Sequence, residues 1–216
     1  MDSEILNVPT VSDEVYKRIK NKIINGELRP GEKVTIRQIA DTMGVSTMPV
    51  RESLKKLQVE GFVRYERRSV VISQLSIEEV EEIFKIRQRL EPLAIEWALP
   101  NIVEKDINLL RQIVMEMDEN LEDKTAWERL NKKFHLNLYS YSNSHKLNQI
   151  LTQVWGTVEP YMHIYLSSDS EYSLNSAQSD HYLMLDYIQN KQTENLIELT
   201  IKHLSNTCDD IVKKLK

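Results

Sequence analysis

Apolar residues recur at helical spacing through most of this 216-residue chain, and the places where that period breaks divide it. Early on, Ile36, Ile39, Ala40 and Met43 mark one face of a short helix, with Thr35 and Gln38 placed as a capping box at its start. Gly44 stands where a helix end wants a left-handed residue, and Ser46 is placed to cap a second helix. In that helix Pro49 falls in the first turn, where its missing N–H costs little, and Val50, Leu54 and Leu57 form the apolar stripe. Two helices joined by so short a turn cross steeply, which leaves Thr47, Met48, Arg51, Glu52 and Lys55 outward. The period then changes. Residues 62–65 and 70–72 are short β-prone runs around Glu66, Arg67, Arg68 and Ser69, which predicts a hairpin with a basic tip.

From Ser76, which forms another capping box with Glu79, helical periodicity runs to the C-terminus. Polar breaks near Pro100, Asp123, 142–144, 167–172 and 190–193 cut it into six helices, about 76–99, 103–123, 125–141, 145–167, 173–190 and 193–216. The expected fold is mainly α: a winged helix-turn-helix with a small β-hairpin wing over 1–75, then an all-α six-helix bundle over 76–216. A bundle of that size can hold a cavity between its helices.

Charge sharpens this division. The net charge is −5, but residues 1–75 carry 13 Lys plus Arg against 10 Asp plus Glu, or +3, and the remainder 15 against 23, or −8. The basic half is the one expected at double-stranded DNA, with its second helix in the major groove. The DNA-facing candidates are Arg37, Ser46, Thr47, Met48, Arg51, Lys55, Arg67 and Arg68; the alternative is an ordinary solvated helix pair. An excess of +3 is too small for one copy to bind tightly, so a homodimer on a palindromic operator is expected. No run approaches the ~18 apolar residues that cross a bilayer. Residues 1–7 are acidic without an apolar core, and the lone Cys208 cannot pair internally. Those features predict a cytoplasmic protein without a membrane partner, in which Cys208 fills a helix face beside Leu204 and Ile211.

The bundle carries polar residues where apolar ones are expected. Asn131 and His135 share a helix face at i, i+4; His181 lies on the stripe of Leu174, Leu185 and Ile188; His203 borders Leu196 and Leu199. Three imidazoles on three helices can converge, and with an oxygen donor they would hold a divalent transition metal, Zn or Ni first, leaving positions open to a small anion. The competing account is hydrogen-bonded packing. Arg87 is also in register with the inward face, where it either pairs with Glu91 one turn on or clamps the carboxylate of an effector. Tyr139, Trp155, Tyr161 and Tyr165 are candidate pocket walls, whereas His145 and His163 are expected at the surface or in packing.

These residues resemble a known family. Leu28, Pro30, Gly31, Ile39, Ala40, Gly44, Val45, Ser46, Pro49, Val50, Arg51, Glu52, Leu54, Leu57, Glu60 and Gly61 follow the DNA-binding domain of GntR-type bacterial regulators. FKIRQRLEPLAIEWA, NKKFH, DHYLMLDYI and IKHL resemble the FCD effector domain of the FadR group, in its VanR-like six-helix branch. The resemblance implies that Asn131, His135, His181 and His203 occupy metal-ligand positions. Three departures stand out: Thr47 where the family commonly has Arg, Arg67, Arg68 and Ser69 where the wing commonly has glycine, and Asn131 where many members have Asp. The expected function is a ligand-responsive repressor with a small organic acid effector, not an enzyme. The alternatives are a metallohydrolase with an appended DNA-binding domain and a constitutive DNA binder with structural histidines. No general base falls at fixed spacing beside the histidines, which weighs against the hydrolase.

Overall fold

The computed structural model describes residues 10–24, 26–67, 69–167 and 171–215, without the side chains at 160, 163–167 and 171–173. It comprises two compact units, Met1–Gln74 and Leu75–Lys216, each with its own apolar core.

The first unit opens with α1, Val11–Ile24, which the sequence pattern above does not single out. Its signal is nonetheless present: Val15, Ile19 and Ile23 recur every fourth residue, and all three are buried. α2, Ile36–Met43, begins at Thr35 with the full capping box, and Gly44 ends it with φ +66°, a left-handed backbone that glycine adopts without the Cβ penalty. α3, Thr47–Val59, buries Val50, Ser53, Leu54 and Leu57. Ser46 is its N-cap, but contrary to expectation its hydroxyl makes no capping hydrogen bond. The buried Ser53 hydroxyl instead donates to the Ser12 carbonyl at 2.6 Å, which ties α3 to the start of α1. Tyr16 and Lys20 of α1 both reach the Glu60 carboxylate at 2.7 and 2.8 Å, holding the C-terminal end of α3. α3 is therefore anchored at its middle and its C-terminal end.

The wing pairs β2, Val63–Glu66, with β3, Ser69–Ile72, in antiparallel register Glu66 to Ser69. A two-residue strand, β1 at Lys33–Val34, adds to the other edge of β3, so the sheet order is β1-β3-β2. Two residues are too few for an alternation signal, which is why only the hairpin is legible in sequence.

The second unit contains six helices among the described residues: α4 Ile77–Ala98, α5 Glu104–Glu119, α6 Lys124–Ser140, α7 His145–Ser167, α8 Glu171–Gln189 and α9 Thr193–Leu215. Ser76 and Glu79 cap α4 reciprocally, and Asp123 caps α6. α4 packs on α6, α7 and α9, while α8 closes against α5 and α9. Phe84, Ile95, Leu110, Val114, Phe134, Leu151, Met184, Leu196 and Ile211 belong to one continuous core, and Cys208 is buried at its margin. A small set of buried polar residues interrupts that core.

Candidate metal centre and nucleic-acid interface

His135 on α6, His181 on α8 and His203 on α9 are all buried, and one nitrogen from each lies within 4.8 Å of the other two. The rings stand 5.0 to 5.6 Å apart, centroid to centroid. His135 Nε2 and His181 Nε2 approach to 3.1 Å. Two nitrogens each about 2.1 Å from one ion, seen at a right angle, would stand about 3.0 Å apart, so this spacing suits a shared ion.

Partners of the outward nitrogens orient two of the three rings, while His181 Nδ1 has no hydrogen-bond partner. His135 Nδ1 is 3.1 Å from the Tyr139 hydroxyl, and His203 Nδ1 is 3.0 Å from Asp180 Oδ2. Each contact turns the opposite nitrogen inward, as second partners do for metal-binding histidines. Tyr139 carries the chain onward by donating to Glu91 Oε2 at 2.5 Å. Burial, then the neighbouring His181, His203 and Arg87, hold the His135 pKa well below the ordinary imidazole value. Burial and then His203 do the same for His181, against a weaker pull from the Ala177 carbonyl. Both rings are neutral at pH 7 with lone pairs available.

Asn131, one turn before His135, is buried with its Oδ1 hydrogen-bonded to nothing, an orphaned acceptor that a cation at the histidines would explain. Three imidazoles and an amide oxygen are a donor set that suits Zn or Ni. Some FCD-type domains hold a metal ion.

Arg87 is 2% exposed, and its Nε donates to Glu91 Oε1 at 2.7 Å. Trp155 Nε1 donates to the same oxygen at 3.1 Å, while the guanidinium lies 4.0 Å from the centroid of the Trp155 ring. The Arg87 to Glu91 pair, one of the two sequence expectations, is thus present. Of the proposed pocket walls, Tyr139 and Trp155 flank His135. The Tyr161 hydroxyl accepts the Leu75 backbone N–H. The side chains of Tyr165 and His163 lie outside the described residues, and His145 is exposed at the start of α7. Sequence reasoning misses Tyr139 and Asp180 as ring-orienting partners. Their spacing, Tyr139 at i+4 from His135, is the only available sign of the first.

A second buried acidic group lies on the same helices. Glu128 is buried on α6, and Lys132 bridges at 2.7 Å to Glu159 of α7, whose other oxygen has no hydrogen-bond partner. Burial, then the charge of Glu159, raise the Glu128 pKa from 4.5 to about 8, with Lys132 opposing. The unfolded chain therefore ionises first, and stability falls as pH rises from about 4.5 towards 8. Relative to wild type, Glu128→Gln should gain on the order of 3 kcal/mol between pH 4 and pH 8. Urea unfolding at both pH values measures this; parallel pH profiles for the two proteins would rule it out.

In the first unit Thr47, Met48, Arg51, Glu52 and Lys55 are all exposed along one side of α3. Burial raises the Tyr65 pKa on β2, and the charge of Arg51 on α3 opposes that rise. Arg37 is exposed, with only a loose 4.0 Å approach to Asp41, and Arg67 is exposed at the wing tip. Arg68 lies outside the described residues.

Residues 11–71 match the model for bacterial regulatory proteins of the gntR family, and residues 82–206, more than half of the chain, match that for the FCD domain. The chain belongs to the GntR family, with an FCD domain. This GntR-family regulator is similar to the uncharacterized HTH-type transcriptional regulator YdhC of Bacillus subtilis, 28% identical over 98% of this chain and 96% of that one. It is also similar to the gluconate operon transcriptional repressor of Bacillus subtilis, 25% identical over 94% of this chain and 84% of that one. Among solved structures, E. coli McbR/YncC superposes with a TM-score of 0.84 at 20% identity, covering 97% of this chain and all of that one, a likeness of fold. Its family makes the protein a transcription regulator and not an enzyme, so the metallohydrolase reading is set aside. GntR regulators bind DNA and small-molecule effectors. No described helix is long and apolar enough to cross a membrane.

Proposed function

We propose that this regulator is a repressor that binds a palindromic operator as a homodimer and is controlled by a small carboxylic acid at a metal centre. Asn131, His135, His181 and His203 would hold the ion, Zn or Ni, in the C-terminal unit. The observation that carries the reading is the meeting of three imidazole nitrogens within 4.8 Å in a largely apolar core. Burying them together is costly unless something uses the lone pairs they present. When bound, the metal supplies a Lewis-acidic position for a carboxylate oxygen.

The chain's own residues have distinct parts. Tyr139 and Asp180 hold two of the rings in place. Arg87 would contact the second carboxylate oxygen, sharing its charge with Glu91, so that an arriving acid competes with a pair already formed. Arg51, Thr47, Met48 and Lys55 would face the groove, Ser46, with its hydroxyl uncommitted to capping, would meet a phosphate, and Arg37, Arg67 and Arg68 would add backbone contacts. That one relative is named a repressor of a gluconate operon supports the sign of the regulation.

A thermal-shift screen of small carboxylic acids, run on protein purified without a histidine tag, tests the reading. At least one acid should raise Tm only while metal is retained, and should change operator affinity by roughly 5- to 150-fold in a gel shift. Protein that contains no metal as purified, and that no acid stabilises, would leave the histidines structural and the DNA binding constitutive.

A further inference from the structure

Met48 takes no part in the core of the first unit. Of the outward residues Thr47, Met48, Arg51, Glu52 and Lys55, it is the large apolar one, and it is 66% exposed. The unit's core is built from other α3 residues, Val50, Leu54 and Leu57, on the opposite side of the helix. Met48 lies in the first turn, three residues before Arg51, and so on the same face. The first turn of a recognition helix is the part that meets base edges. What an apolar side chain can meet there is limited, because the major groove offers donors, acceptors and a single apolar group, the 5-methyl of thymine.

We propose that Met48 reads a thymine methyl in the operator half-site, one or two base pairs from a guanine contacted by Arg51. The inference rests on the DNA-binding reading above. Its spacing follows from geometry. Three residues of α-helix advance about 4.5 Å. Base pairs advance about 3.4 Å. Neighbouring side chains three residues apart therefore meet bases one or two steps apart. Arginine suits guanine, whose two acceptors match its fork, and a flexible thioether suits a methyl group. Thr47 also carries a methyl group, but its side chain is shorter and ends equally in a hydroxyl, which suits a phosphate or base acceptor.

The test uses the full chain and a duplex enriched from random DNA. Each half-site thymine is replaced in turn by deoxyuridine, which removes the methyl and nothing else. At one position, one or two pairs from an essential guanine, the substitution should weaken wild-type binding about fourfold, the factor carried by one buried methyl group. Met48→Ala should bind the thymine and deoxyuridine duplexes equally, Met48→Leu should restore most of the difference, and Thr47→Ser should leave it unchanged. Indifference of wild type to every deoxyuridine, with sequence preference intact, overturns the assignment to Met48 alone. So does a penalty that survives in Met48→Ala or disappears in Thr47→Ser. Failure to enrich any sequence overturns the DNA-binding reading, and this inference falls with it.

Discussion

Replacing His135 and His181 together by alanine is expected to abolish metal retention, so that purified wild type contains about one ion per chain and the variant none. Two of three nitrogens disappear, and an amide oxygen with one imidazole is a poor site for any first-row ion. The double substitution also opens a cavity in the core, so its melting curve has to accompany the metal analysis. Tyr139→Phe separates the two effects. It keeps the ring and its packing while removing the hydroxyl that meets His135 Nδ1 and donates to Glu91. Loss of such an orienting partner costs about 10- to 100-fold in metal affinity. A competition titration with a chromophoric chelator reads that loss directly. Equal metal content in wild type and the double variant would place the ion elsewhere, and none in either would end the metal hypothesis.

Arg51→Ala is expected to remove operator preference while leaving the fold intact. A bidentate contact between arginine and guanine discriminates by about 1–3 kcal/mol per site, which two half-sites in a dimer would double. The preference for operator over random duplex should therefore fall by about 30-fold or more. Because Arg51 is exposed and its neighbours Val50 and Leu54 carry the packing, Tm should hold. Lys55→Ala is the natural comparison. Removing a phosphate-binding charge there would weaken operator and random DNA alike and reduce the salt slope by about one per copy. Unchanged operator affinity in Arg51→Ala, measured by gel shift, would overturn the assignment of α3 as the reading helix.

Different parts of this architecture are legible for different reasons. The capping boxes at Thr35 and Ser76 and the left-handed Gly44 depend on residues three or four apart, so they can be read without any knowledge of the rest of the fold. The six C-terminal helices are equally visible, because each is long enough for its period to show. β1 is not visible, since two residues are too few to show alternation. α1 escapes the pattern reading although its stripe is present. Arg87 illustrates the boundary: its register with the core predicts an inward guanidinium, but the choice between Glu91 and an effector requires seeing Trp155 Nε1 and the Tyr139 hydroxyl converge on the same carboxylate.

Sequence alone therefore determined most of the local structure, the family and which three histidines lie on or beside inward faces, because period, caps and motif spacing act over a few residues. Only the tertiary structure decided that His135 and His181, 46 residues apart in the chain, meet at 3.1 Å, and that Asp180 and Tyr139 aim the rings. Whether side chains on separate helices touch depends on how those helices are rotated and tilted against one another. That is settled by the packing of the whole core, not by any segment within it.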